Sequence, residues 1–458
     1  MVFKQFYLSC LAHASYLIAS GDEAVVVDPQ RDVDQYIEEA TGLGARIRYI
    51  IETHLHADFV SGHKELAQRT GAEILIGASA GAAFSHHPVR EGHQVRIGTV
   101  VLRAMETPGH TPEGISWVVS DDADLEAPLK VLTGDTLFIG DVGRPDLAGA
   151  KGYTAEVMAG LLYDSLHGKL LALPDDTEVW PAHGAGSMCG RNISKETTST
   201  IGTQRKMNYA VQPMSRPAFV SMMTSDLSPA PAYFAMDVEI NRQGAGAVKD
   251  ITAVAMSAQE VRRNHLDGAI LLDVRDGDAF GHSHIPGSVN IGLGGQFASW
   301  AATLLPPTRP IIVIASSPAE SHQAIVRLAR VGLENVRATL DGGIASWHAA
   351  GYPLETLTQM TIDELRVARR EGNLQVLDVR GAGEFTSGHV PSAINIPLAQ
   401  IPQRRGEIDH TRPTAVICAG GYRSSAAASL LLSESWPALY NVTGGTGAWV
   451  KAGLETEG

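Results

Sequence analysis

Short apolar runs separated by glycine, proline and charged turns set the architecture this chain can adopt. Glu23-Ala24-Val25-Val26-Val27-Asp28 has the length and β-branched content of a buried strand, and Pro29 ends it. Asp32 to Leu43 reads as a helix on the outer face of that sheet, with Thr111 to Val119 and Lys130 to Leu132 as further strands of the same sandwich. Later runs keep strand length but alternate with helical stretches, as in Ile311-Ile312-Val313-Ile314 and Thr414-Ala415-Val416-Ile417. A tight loop and the alanine-rich helix start Ser424-Ser425-Ala426-Ala427-Ala428 follow the second of these. The pattern predicts an α/β multidomain protein.

The second half of the chain repeats itself. Leu272-Asp273-Val274-Arg275, followed by His284-Ile285-Pro286-Gly287-Ser288-Val289-Asn290-Ile291, recurs with the same internal spacing. The second copy is Leu377-Asp378-Val379-Arg380 followed by His389-Val390-Pro391-Ser392-Ala393-Ile394-Asn395-Ile396. Gly342-Gly343-Ile344-Ala345-Ser346-Trp347 likewise matches Gly444-Gly445-Thr446-Gly447-Ala448-Trp449. A unit of about 100 residues is too long for a solenoid repeat and suits a duplicated compact domain. The proline-rich segment 211–244, which includes Ser228-Pro229-Ala230-Pro231, is expected to close the first domain by wrapping over it. Gly244-Ala245-Gly246-Ala247 makes a flexible joint and Ala350 to Leu354 a second one, giving domains 1–246, 247–355 and 356–458.

Composition narrows the function class. At 458 residues the chain exceeds one core, and 44% apolar with 19% charged residues is ordinary for a soluble globular protein. A net charge of −14 argues against nucleic acid or an anionic membrane surface as partner. Three cysteines without a pairing pattern point to a reducing compartment. The start Met1-Val2-Phe3-Lys4-Gln5-Phe6 lacks a signal peptide's apolar core, and no apolar run is long enough to span a membrane. A cytoplasmic location is expected, and a homo-oligomer.

The densest chemistry lies in Thr53-His54-Leu55-His56-Ala57-Asp58-Phe59, with two imidazoles and a carboxylate within five residues. If this is a strand end running into a turn, the period of two places His54, His56 and Asp58 on one side. Pro108-Gly109-His110-Thr111, Thr133-Gly134-Asp135-Thr136 and Pro181-Ala182-His183-Gly184 each present a His or Asp beside a turn residue. Together they read as a metal site. His13, His63, His86, His87, His93 and His167 read as surface or satisfied core groups.

This series resembles the metallo-β-lactamase fold superfamily over roughly the first 250 residues, and within it the persulfide dioxygenases. The resemblance implies an αββα sandwich followed by two α/β rhodanese-like domains. It implies one Fe(II) per chain on His54, His110 and Asp135, two imidazoles and a carboxylate that leave positions open for substrate and dioxygen. His56, Asp58 and His183 then surround and orient these ligands, with ligation of a second metal or a packing role alone as the alternatives. Hydrolytic members carry histidine after the Asp; Phe59 stands there, so a second site loses a nitrogen donor. Gly140 to Leu147 resembles a further dioxygenase segment, in which Arg144 holds a substrate carboxylate or orders Asp146.

Both later copies resemble rhodanese (thiosulfate sulfurtransferase) domains through the D-V-R, H-x-P and G-G-x-x-x-W marks. The second keeps a nucleophile in Cys418-Ala419-Gly420-Gly421-Tyr422-Arg423, where loop N–H groups and a helix start suit anionic sulfur and Arg423 supplies a cation for a sulfonate. The first carries Ala315 instead, which makes it a sulfurtransferase by shape only, a spacer or oligomer contact. Cys10, in the strand-like stretch Tyr7 to Ala12, reads as a small core residue; Cys189, in a glycine-rich loop after His183, either relays sulfur or packs. The expected activity is oxidation of a small persulfide to sulfite and thiol, coupled to sulfur transfer that makes or uses thiosulfate. A dinuclear zinc thioester hydrolase similar to glyoxalase II, with a sulfurtransferase appended, is the alternative.

Overall fold

Val25 and Val27 point into one apolar core while Ala24 and Val26 point into another, and this two-sidedness of a single strand sets the layers of the N-terminal region. The computed structural model describes residues 1–121, 127–149, 152–225, 227, 229–432 and 436–458; Ser228 of the proline-rich segment therefore lies outside the described residues. Contacts divide the chain into two compact units, residues 1–250 with 329–332, and residues 251–328 with 333–458.

Among the described residues, the first unit holds two six-stranded sheets. One runs in sequence order through β1 (Val2–Leu8), β2 (His13–Ser20), β3 (Glu23–Val27), β4 (Arg46–Ile51), β5 (Glu73–Gly77) and β6 (His87–Val89). The other contains β7 (Gln94–Ile97), β8 (Val100–Glu106), β9 (Ile115–Asp121), β10 (Lys130–Gly134), β11 (Glu178–Pro181) and β12 (Ser199–Thr200). Tyr16, Val25, Val27 and Leu75 of the first sheet meet Val100, Leu102, Trp117 and Leu132 of the second in the central core. The helices Asp34–Gly42 and His63–Thr70 cover the outer face of the first sheet through Tyr36, Ala40 and Leu66. Leu162, Leu166 and Phe219, on the helices Ala155–Gly168 and Arg216–Thr224, cover Val118, Val131 and Val179 of the second. Helix, sheet, sheet and helix make the four layers of an αββα sandwich.

Local expectations shift at several places. The strand predicted from Thr111 begins only at Ile115, because Gly109, Thr111 and Gly114 close a turn through backbone hydrogen bonds. The proline-rich segment folds into the helices Arg216–Thr224 and Phe234–Gln243. Cys10 sits in the turn after β1, half-buried, because the Leu11 N–H and Ala12 N–H turn back onto the Leu8 and Ser9 carbonyls and end the strand.

Among its described residues, the second unit holds two parallel five-stranded sheets of one topology, as duplication requires. The first is ordered β13-β17-β16-β14-β15 and the second β18-β22-β21-β19-β20. Their strands are β13 (Val254–Met256), β14 (Ile270–Asp273), β15 (Val289–Asn290), β16 (Ile311–Ile314), β17 (Val336–Leu340), β18 (Thr358–Met360), β19 (Gln375–Asp378), β20 (Ile394–Asn395), β21 (Thr414–Ile417) and β22 (Leu439–Val442). Arg275 binds Asp273 and Arg380 binds Asp378 through the same pair of guanidinium nitrogens, so the repeated D-V-R is a clamp that closes each strand end. No helix among the described residues is long and apolar enough to cross a membrane.

Candidate metal centre and sulfur loop

β4 ends at Ile51, and residues 53–60 form a loop rather than a continued strand. The cause is Asp28, whose carboxylate accepts the Thr53 N–H at 2.8 Å and the Thr53 hydroxyl at 2.9 Å and so pulls the chain out of the ladder. The period of two therefore does not hold beyond Thr53. His54 joins one group of side chains, with His110 and Asp135, while His56 and Asp58 join another with His183.

In the first group Asp135 Oδ2 lies 3.4 Å from His110 Nε2 and 3.8 Å from His54 Nε2. Both Asp135 oxygens and both Nε2 atoms are buried without a hydrogen-bond partner among the described residues. The opposite ring nitrogens are occupied. His110 Nδ1–H donates to the Arg144 carbonyl at 2.9 Å, and His54 Nδ1 lies 3.0 Å from the Thr53 hydroxyl, whose own proton goes to Asp28. Each imidazole thus turns the lone pair of Nε2 inward. Two such lone pairs and a carboxylate, stripped of other partners, fit a divalent metal and little else. Burial, then the neighbouring imidazoles, holds His54 well below the usual histidine range, and burial also lowers His110. Neutral imidazole is the form a metal requires.

Close backbone approach makes this convergence possible. Gly134 stands at φ +51 after a shift of register between β10 and β11, and a Cβ there would lie 2.7 Å from the Thr53 hydroxyl. At Gly143 a Cβ would lie 1.9 Å from the Asp135 carbonyl oxygen.

In the second group His183 Nε2 lies 3.3 Å from Asp58 Oδ2 and 3.6 Å from Asp135 Oδ1, and its Nδ1–H donates to the Ala12 carbonyl at 3.2 Å. Burial opposes charge on His183, but Asp135 and Asp58 outweigh it and push its pKa up to about 10. His56 Nε2 faces Asp28 at 3.1 Å. Phe59 is fully buried, its ring centroid 3.9 Å from that of His13 and 4.4 Å from that of His56.

His13 and His63, which the sequence reads as surface or satisfied core groups, are fully buried, and among the described residues their ring nitrogens have no hydrogen-bond partner, although His63 Nδ1 lies 3.4 Å from a Glu52 carboxylate oxygen. Asp28 was equally unmarked, although a carboxylate ending the apolar run Val25-Val26-Val27 was a readable signal. Arg144 uses two guanidinium nitrogens on Asp146, each at 2.7 Å, while its backbone accepts from His110 and donates to the Cys189 carbonyl. Burial first, then Asp58 and Asp135, raises the Cys189 thiol well above its ordinary pKa, a setting that favours a packed thiol over a sulfur carrier.

In the second unit, Cys418 follows β21 directly and is buried. The Gly421 N–H donates to its Sγ at 3.1 Å, and Ser424 Oγ lies 3.4 Å away. Gly445 at φ +57 passes beneath, where a Cβ would stand 2.2 Å from the Cys418 carbonyl oxygen, so the repeated glycine pair makes room for this loop. Arg423 is held by Glu384 through two bonds of 2.7 Å. In the first copy the Ser316 N–H donates to Glu320 Oε2 at 2.8 Å, so the loop after Ala315 binds the protein's own carboxylate.

The Metallo-beta-lactamase superfamily pattern matches residues 8–183, and the Rhodanese-like domain pattern matches residues 257–350 and 361–452. A probable metallo-hydrolase of Burkholderia pseudomallei (strain 1710b) is 31% identical over 49% of this chain and 86% of its own length. The mitochondrial persulfide dioxygenase of Bos taurus is 30% identical over 50% of this chain and 82% of its own length. A solved metallo-beta-lactamase structure from Staphylococcus aureus subsp. aureus COL aligns at 30% identity with a TM-score of 0.66, covering 74% of this chain and 98% of that one.

Proposed function

The chain belongs to the metallo-β-lactamase superfamily and carries two rhodanese-like domains, and from that premise we propose that it is an Fe(II)-dependent persulfide dioxygenase joined to a sulfurtransferase. The observation that carries this reading is the convergence of His54 Nε2, His110 Nε2 and the Asp135 carboxylate, all buried and, among the described residues, without a hydrogen-bond partner. Bound there, Fe(II) would supply open positions at which a persulfide sulfur and dioxygen react, a redox path closed to zinc. Thr53 and Arg144 hold the two imidazoles in the required tautomer, and the buried surroundings limit water. The overall change is RSSH + O2 + H2O → RSH + sulfite + two protons.

At the other site, Cys418 Sγ would attack the outer sulfur of a persulfide or thiosulfate, releasing thiolate or sulfite and keeping the sulfur as a cysteine persulfide. Sulfite or another thiophile then takes it up. The Gly421 N–H stabilises the sulfur's negative charge, and Arg423 can meet an anionic donor by exchanging its hold on Glu384. The partners would be a low-molecular-weight persulfide, dioxygen, and sulfite or thiosulfate.

One observation favours a dinuclear hydrolase: His56, Asp58 and His183 also place one donor atom each within 4.8 Å of the others. Against it, Phe59 fills the position of a further nitrogen ligand with an apolar ring. Activity measurements separate the readings. Asp135→Ala is expected to abolish persulfide-dependent oxygen uptake and spare thiosulfate-to-cyanide transfer, and Cys418→Ser to do the reverse. Loss of both activities in either variant contradicts two independent sites.

A further inference from the structure

The helix Tyr422–Leu431 opens directly behind the sulfur loop and buries Ser424, Ser425 and Ser429. Two of these hydroxyls bind the cysteine-less copy. Ser425 Oγ donates to Asn290 Oδ1 at 2.7 Å, and the Asn290 N–H donates to Ser429 Oγ at 2.9 Å. Asn290 lies on β15, the edge strand of its sheet, and its side-chain amide clamps its own turn by donating to the Asp273 and Arg275 carbonyls. Small hydroxyl side chains let the helix approach this edge closely while Ser425, Ser429 and Asn290 satisfy one another.

Tyr422, the first residue of the helix, extends the contact. Its phenol donates to the Gly292 carbonyl at 2.8 Å, and its ring carbons lie 3.6–3.9 Å from where a Cβ would stand at Gly292 or Gly295. A side chain longer than a methyl at either position would meet the ring. Burial raises the phenol's pKa, which keeps it a donor. The receiving segment is itself fixed, since buried Arg327 donates to the Leu293 and Gly295 carbonyls and lies over Phe297 at 5.2 Å. Only Ala419, Gly420 and Gly421 separate Cys418 from this anchor. Two glycines have little conformational preference of their own, so the place of the Gly421 N–H beneath Sγ depends on what holds the far end of the loop.

We propose that Tyr422 is a positioning residue and that the cysteine-less rhodanese-like domain, through its Gly292–Gly295 segment, is the rigid template that holds the Cys418 loop in working shape. This gives the domain without a nucleophile a part in sulfur transfer, and it rests on the reading of Cys418 as sulfur carrier. The test uses the full-length chain, with thiosulfate as donor and cyanide as acceptor.

Tyr422→Phe removes one hydrogen bond and is expected to lower kcat about fivefold, with KM for thiosulfate within about twofold of the parent. Its unfolding midpoint should stay within about 2 °C of the parent. Tyr422→Ala should cost more than Tyr422→Phe, the conservative variant retaining part of the rate. Arg327→Gln, which lies in the other domain and leaves the Cys418 loop untouched, should also lower kcat. Parental kcat in both Tyr422→Phe and Tyr422→Ala, or in a folded Arg327→Gln, overturns the template role. Absence of transfer in the parent, or undiminished transfer in Cys418→Ser, overturns instead the underlying reading of Cys418, and the proposal with it.

Discussion

Thr53 binds no substrate in this account, yet it governs how well His54 can hold a metal. Its hydroxyl gives its proton to Asp28 and accepts from His54 Nδ1, so Thr53→Val keeps the shape and breaks both bonds. Iron affinity is expected to fall about 10- to 100-fold, measured by competition with a chromophoric chelator; unchanged affinity would contradict the orienting role. Phe59→His should raise the metal bound on reconstitution toward two ions per chain, because it returns a nitrogen beside His56, Asp58 and His183. The buried aromatic packing lost in that exchange would cost about 1–3 kcal/mol. A stoichiometry that stays at one would show that more than Phe59 excludes the second ion. At this scale His54, His110, Asp135 and Cys418 were legible because each stands in a short motif beside a turn. Asp28, Thr53 and His13 were not, since their importance comes from neighbours 25 or more residues away in sequence.

The sulfur-binding element is a loop and a helix start together, and the two rhodanese-like copies differ in both. In the first, Ala315 replaces the nucleophile and Glu320 takes the loop N–H of Ser316. Ala315→Cys in a Cys418→Ser background is therefore expected to yield no cyanide-labile sulfur, because the Ser316 N–H of that loop is already given to a carboxylate. Recovery of thiosulfate-to-cyanide transfer by that single change would show Glu320 to be no obstacle. The exchange Ala315 for cysteine could be read from sequence; the self-occupation by Glu320 could not, since it depends on how a side chain folds back over four residues. The same limit explains residues 53–60. Alternating histidines look like a strand until Asp28, just past the end of the neighbouring strand, captures Thr53.

For the molecule as a whole, duplication was the most legible feature, because equal spacing of the D-V-R and H-x-P motifs, with a G-G motif late in each copy, demands equal topology, and the two parallel sheets share one strand order. The αββα sandwich rested on resemblance as much as on apolar pattern, since two-sided burial makes its strands nearly continuous apolar runs. The contact between the helix Tyr422–Leu431 and β15 was out of reach, for it rests on serines that look like surface residues. The most direct measurement supplies anaerobically purified, iron-loaded chain with a low-molecular-weight persulfide in an oxygen electrode while metal content and sulfur products are quantified. About one iron per chain and one O2 consumed per persulfide converted to sulfite or thiosulfate are expected. Two zinc ions per chain with thioester cleavage and no oxygen uptake would contradict the dioxygenase reading.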